Sequence, residues 1–154
     1  MLPTHKAIDA TVRRHFAFLV ERGFTPDPEP NPKAVRRAGF QHIWYRGERW
    51  GIEIYLEYRE GYYDVSIVPL VHGEPRQVPC GDRTRWSLEQ YLTQILGVRD
   101  EGLDRLREVY EATSPLTGRV TVEFSDQVFT LYAALLRRHL DTIVASPHPP
   151  IGRA

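Results

Sequence analysis

Between Gly39 and Val71 the chain alternates apolar and polar positions with a period of two, in three runs separated by two short turns. That is the signature of half-buried β-strands. The first run is Gly39–Arg46 and the second Gly51–Arg59. The turn Glu60-Gly61 leads into the third, Tyr62–Val71, so the three form an antiparallel meander. In the second run Ile52, Ile54, Leu56 and Tyr58 share one face, opposite Glu53, Tyr55, Glu57 and Arg59. In the third, Tyr63, Val65, Ile67 and Pro69 alternate with Tyr62, Asp64, Ser66 and Val68. In the first, the Ile43 side (with Gln41 and Tyr45) is assigned to the core, which leaves His42, Trp44 and Arg46 on the second face. Pro69 lacks an N–H, so its strand ends there or lies at an edge.

Helical spacing takes over on either side. Ile8, Val12, Phe16 and Leu19 mark a helix over Thr4–Arg22, capped by Thr4 and stopped by Gly23. Thr25–Lys33 carries four prolines and reads as a stiff extended crossing loop. After a loop over Arg76–Arg85, Ser87 and Gln90 have capping-box spacing, which predicts a helix through Gly97 with Leu88, Tyr91, Leu92 and Ile95 inward. A further helix over about Asp100–Ala112 buries Leu103, Leu106 and Tyr110 before Ser114-Pro115. Gly118–Phe124 alternates like a short extended piece. Ser125 or Asp126 then caps a last helix to about Ala145, with Phe129, Tyr132, Leu136, Leu140 and Ile143 inward. Ser146–Ala154 reads as a flexible tail.

Helix, three strands, then two or three helices make an α+β chain, with the helices on one face of an antiparallel sheet in a two-layer sandwich. At 154 residues this is one domain, residues 1–145, plus the tail at 146–154. A hydrophobic fraction of 42% with 6 Phe, 8 Tyr and 3 Trp supports an ordinary core and argues against disorder. No apolar run reaches the roughly 18–20 residues of a membrane helix and no signal sequence opens the chain, so a cytoplasmic, bacterial protein without a membrane partner is expected.

Charge narrows the partners. Twenty basic residues balance twenty acidic ones, which disfavours nucleic acid as a ligand. All the basic residues but Lys6 and Lys33 are arginine, a bias that a GC-rich genome explains and that also fits planar recognition of carboxylates. The single Cys80 excludes an internal disulfide and a multi-cysteine zinc site. The six histidines show no i, i+4 pair, and no phosphate-binding loop or nucleophile elbow occurs. No catalytic residue, metal or cofactor is therefore assigned.

The segment Phe16-Ala-Phe-Leu-Val-Glu-Arg-Gly-Phe24, the Trp44-Tyr45 pair in the first strand, the Arg/Glu-rich meander and the closing Tyr132–Ile143 helix resemble a group of small bacterial α+β proteins. Some proteins of this appearance are immunity proteins that neutralise a co-encoded toxin. The resemblance implies protein binding and carries over no catalytic residue.

The candidate site is the second face of the meander: Trp44, Arg46, Glu53, Tyr55, Glu57, Arg59, Tyr62 and Asp64, with His42 beside them. One sheet face is commonly left wet, yet Trp, Tyr and Arg are the residues that dominate binding hot spots. Glu53 and Glu57, four apart on a strand, stand about 13 Å from each other, too far to share a metal. The expectation is a non-enzymatic module that binds another protein, in the manner of an immunity or antitoxin-like inhibitor. The alternatives are an enzyme using Cys80, flanked by Arg76 and Arg83, or a hidden carboxylate site, and a nucleic-acid-associated protein. Arg13-Arg14-His15 and Arg137-Arg138-His139 form solvated faces unless their helices are neighbours. A homo-oligomer through the meander edge or the last helix is compatible with the sequence.

Overall fold

The computed structural model describes residues 2–78, 83–115 and 118–150. Its order is α1 (Pro3–Phe16), α2 (Phe18–Glu21), β1 (Thr25–Pro26), α3 (Pro32–Ala38), β2 (Phe40–Arg46), β3 (Trp50–Glu57), β4 (Tyr62–Val71), β5 (Glu74–Pro75) and β6 (Trp86–Ser87). Helix α4 (Leu88–Gln90) follows and widens into a π turn over Tyr91–Ile95, and α5 (Glu101–Glu111) and α6 (Val122–Ala145) complete the chain. The fold is α+β. The antiparallel sheet runs β1-β2-β3-β4-β5, with β6 also paired to β4.

The register follows from the period-two pattern. Ile43 faces Ile54, which faces Val65, and Tyr45, Ile52 and Ile67 line up in the next row. These side chains are buried on one face with Ile8, Val12 and Phe16 of α1 and Phe129, Leu136 and Ile143 of α6. Rings knit the two layers: Phe129 lies 5.4 Å from Tyr63 and 5.9 Å from Phe16. Burial of apolar area at about 25 cal/mol per Å² is the main favourable contribution.

Several local readings are corrected. The first helix starts at Pro3 with Leu2 as N-cap and bends at Ala17, so Thr4 does not cap it. The proline-rich loop pairs as β1 at the sheet edge, and Asn31-Pro32 opens α3: the Asn31 side chain accepts the Lys33 N–H at 2.9 Å, and Gly39, at φ 79°, ends the helix. Gly118–Phe124 is not a strand. Thr121 accepts the Phe124 N–H at 3.0 Å and caps α6 four residues earlier than Ser125. The capping box at Ser87 and Gln90 forms, but the π turn shifts the helical phase and leaves Ile95 39% exposed. Of the segment read as tail, residues 146–150 lie against the body. Ser146 bonds the Tyr91 hydroxyl at 2.9 Å, and the carbonyl of buried Pro149 accepts from Arg76 at 2.8 Å.

Both basic helix segments face solvent at Arg14, Arg137 and Arg138 and are tied to the fold by local contacts. Helices α1 and α6 are neighbours, and Arg14, His15, Arg137 and Arg138 border one groove. Their charges are already met: Asp126 sits 2.7 Å from His15, Asp100 takes Arg138 and His139, and Arg137 lies 4.6 Å from the Phe18 ring. Hydrogen bonds from Arg138, together with those from His139 and Gly102, hold the Asp100 carboxyl well below the usual carboxylate range.

Strand β4 reaches past its short neighbours. Leu70 N–H turns inward to Arg49 O at 2.8 Å, so Pro69 points its missing donor at the outer edge, between the stretches paired by β6 and β5. Farther back, among the described residues, no strand pairs with the outer side of Tyr63. Its N–H donates to the Tyr110 hydroxyl at 3.1 Å, and that hydroxyl donates to the Tyr63 carbonyl at 3.0 Å. One phenol thus satisfies both groups of an edge peptide. Tyr110→Phe keeps the ring and orphans both, and is expected to cost about 1–3 kcal/mol in urea unfolding. A loss below about 0.5 kcal/mol would show that water replaces the hydroxyl without penalty.

Candidate functional site

The register places the second face as a lattice. Phe40, Glu57 and Tyr62 form one row, and His42, Tyr55 and Asp64 the next. Trp44, Glu53 and Ser66 follow, then Arg46, Gly51 and Val68. Rows on one face are separated by about 6.8 Å along the strands. The face divides into two halves of different character.

The half toward Gly51 is closed. Val68 and Leu70 are buried, and Trp44 and Leu70 lie over Gly51, where an added Cβ would come within 3.1 Å of the indole and 3.3 Å of Leu70. Arg46 stacks 4.8 Å from the Trp44 ring and grips Asp27 with two hydrogen bonds, at 2.9 and 3.2 Å. Glu53, expected to face solvent, is only 4% exposed. Arg85, preceding β6, pairs with it, and His42 Nδ1 approaches to 3.4 Å. This arrangement is an ion pair whose arginine borders a groove at the edge of β4.

The half toward Tyr62 is open. Phe40 and Tyr62 are exposed, His42 is exposed and Tyr55 half-buried. Their rings run in contact across three strands, with centroids 5.8 Å apart for Phe40 and His42, 5.1 Å for His42 and Tyr55, and 6.1 Å for Tyr55 and Tyr62. Glu57 lies between Phe40 and Tyr62, and its carboxylate accepts the N–H groups of Arg59 and Glu60 at 2.9 and 2.8 Å. Arg59 therefore belongs to the turn: its guanidinium lies beside Gly39 and donates to Ala38 O at 3.3 Å, off the face assigned to it. Gly61 is required in that turn, at φ 69° with the Arg119 backbone 2.6 Å from where a Cβ would stand.

Beside Tyr62 the open face runs into a groove of about 620 Å³ between the edge of β4, α4 and α5. Asp64 lies in it, and among the described residues it makes no ion pair. Burial, with the negative charges of Glu53 and Glu89 adding to it, raises its carboxyl to about 6, although the Val65 N–H and the Tyr132 hydroxyl favour the ionised form. Burial pushes the Tyr110 and Tyr132 phenols up, so both hydroxyls keep their protons. The groove's arginines are engaged. Arg85 pairs with Glu53, Arg107 with Glu89 at 3.1 Å, and Arg119 donates to the carbonyls of Thr113 and Tyr110 at 3.0 and 2.6 Å. Asp64 is thus a carboxylate without a paired cation, while Arg119 is held by carbonyls alone, and the Asp64 side chain joins face to groove. The meander pattern indicated the face; the groove walls come from residues 20 to 70 positions away, with no local signal.

Among the described residues, no group of three or more His, Cys, Asp or Glu is placed to hold a metal ion, and no helix is long and apolar enough to cross a membrane. Cys80 lies outside the described residues. Comparisons of the chain with family models, with curated proteins and with solved structures found no match.

Replacing the carboxyl tests the electrostatics directly. Below pH 3.8 Asp64 is protonated in both folded and unfolded chains, and Asp64→Asn is expected to change stability little. Between 3.8 and about 6 the folded state still holds a proton that the unfolded chain has released, so stability falls as pH rises. Above that window the variant is expected to be more stable than the parent by roughly 1–2 kcal/mol in thermal unfolding. A pH-independent difference would contradict an unpaired ionised carboxylate.

Proposed function

We propose that the open half of the sheet face binds a partner protein, and that it does so by gripping a basic segment. The observation carrying this reading is the ring row Phe40–His42–Tyr55–Tyr62, with Glu57 between Phe40 and Tyr62 and Asp64 at the end of the His42–Tyr55 row. Exposed aromatics backed by a rigid sheet lose little conformational freedom on binding. Carboxylates alternating with π faces attract lysine and arginine side chains and repel phosphates, which favours a protein over a nucleic acid. The immunity or antitoxin-like inhibitor implied by the sequence resemblance is the narrower form of this reading, with a partner encoded beside this chain.

A hidden carboxylate enzyme draws on Asp64, whose raised pKa in a groove suits a general base. Its nearest companions support that reading less well. The Tyr132 hydroxyl is buried and protonated, and Glu53 is neutralised by Arg85.

Co-expression with the product of the adjacent gene provides the test. The tagged protein is expected to retain that product, and Phe40→Ala/Tyr55→Ala, with an unchanged circular dichroism spectrum, to bind it about ten- to a hundred-fold more weakly. Equal retention by the two forms, or retention by neither, goes against the proposal.

A further inference from the structure

We infer that the groove at the edge of β4 is a cation pocket that takes a guanidinium group, an arginine side chain of the bound protein, onto Asp64. The inference rests on the protein-binding reading of the adjoining face and specifies what that face recognises. Three observations carry it.

The first is a carboxylate left without a cation. Every arginine bordering the groove is spoken for within the fold, and Glu89 is held by Arg107, whereas no cation among the described residues pairs with Asp64. The second is the place of the carboxylate: Asp64 is a partly buried side chain on β4 that lines the groove beside Tyr110 and Tyr132, with lone pairs for an entering donor. The third is shape. The groove is about 620 Å³, ample for an extended side chain. The Tyr62 ring stands at its mouth on the open face, and Tyr110 lines its α5 side. A planar cation entering along Tyr62 would stack on a ring and end on a carboxylate, the combination that guanidinium satisfies better than ammonium. Glu53 and Glu89 face Asp64 from β3 and α4, each already paired with an arginine, Arg85 and Arg107.

The pocket is testable without the partner. Nα-acetyl-arginine methylamide would be titrated into the full chain, with the Asp64 side-chain carboxyl carbon followed by NMR, beside the isosteric but neutral citrulline derivative. The arginine probe is expected to bind in the millimolar range, to shift the Asp64 signal and to lower its titration midpoint by about one pH unit, corresponding to about ten-fold tighter binding to the ionised form. The citrulline probe is expected to leave the signal in place. Asp64→Asn should weaken binding of the arginine probe at least about ten-fold, read on the Tyr62 ring signals. Phe40→Ala/Tyr55→Ala, which leaves the groove intact, should bind the probe as the parent does.

If both probes shift the signal alike, or Asp64→Asn binds the arginine probe undiminished, the pocket is refuted while partner capture through the ring row still stands. If the probe binds as expected and capture of the partner survives removal of Phe40 and Tyr55, the binding-face reading fails and the cation pocket survives alone.

Discussion

The peptide group of Tyr63 is the point on which this architecture turns. Strand β4 runs for ten residues, but on its outer side β6 and β5 pair with it at only two positions each. An edge peptide in partly buried surroundings must find partners or cost about as much as a lost hydrogen bond. The Tyr110 hydroxyl supplies donor and acceptor together, with the Tyr132 hydroxyl 3.4 Å from the same carbonyl. Helix α5 is thereby pinned to the sheet by its last turn, while Leu103 and Leu106 pack its apolar stripe inward. A helix held at the strand's edge, where another strand would otherwise lie, leaves a channel beside it, and that channel is the groove containing Asp64.

The same division between closed and open surface organises the second face. Where Trp44, Val68 and Leu70 cover Gly51, the sheet behaves as a small second core, and Glu53 is tolerated there because Arg85 neutralises it. A buried carboxylate with its partner removed would be strongly destabilising, so the pair preserves the shape of the face without contributing much net stability. Past Glu53 the cover ends and the rings emerge. Asp64 lies at the junction, one row from the buried pair and one from the exposed Tyr62.

How much of this could be read from the sequence depended on the range of the forces involved. The meander was legible almost residue by residue, because a period of two assigns each side chain to a face without knowledge of any other element. The capping box at Ser87 and the stripe of α6 were equally local. Helix α3 was missed because the run of prolines concealed the Asn31-Pro32 start that its own cap and first-turn rules describe. The Val120–Val122–Phe124 alternation imitated a strand over too few residues to be distinguished from a helix entry. Glu53 was assigned to solvent because its cover, Arg85, is 32 positions away. Arg59 was placed on the face because the strand pattern ran on, whereas Glu57 accepts two N–H groups and starts the turn before it. Of the candidate site, the ring row was visible and the groove was not, since its walls meet only through tertiary packing.

Pro69 carries a last implication. A sheet with a long outer strand invites a second chain to add itself and continue the ladder. Here a newcomer would meet a ring nitrogen with nothing to donate at Pro69, a phenol already holding Tyr63, and two short strands in between. At the opposite margin β1 ends on Pro26, with Pro28 following. Both rims of the sheet are thus blunted against polymerisation, so an exposed aromatic surface can be displayed without the protein growing into fibres.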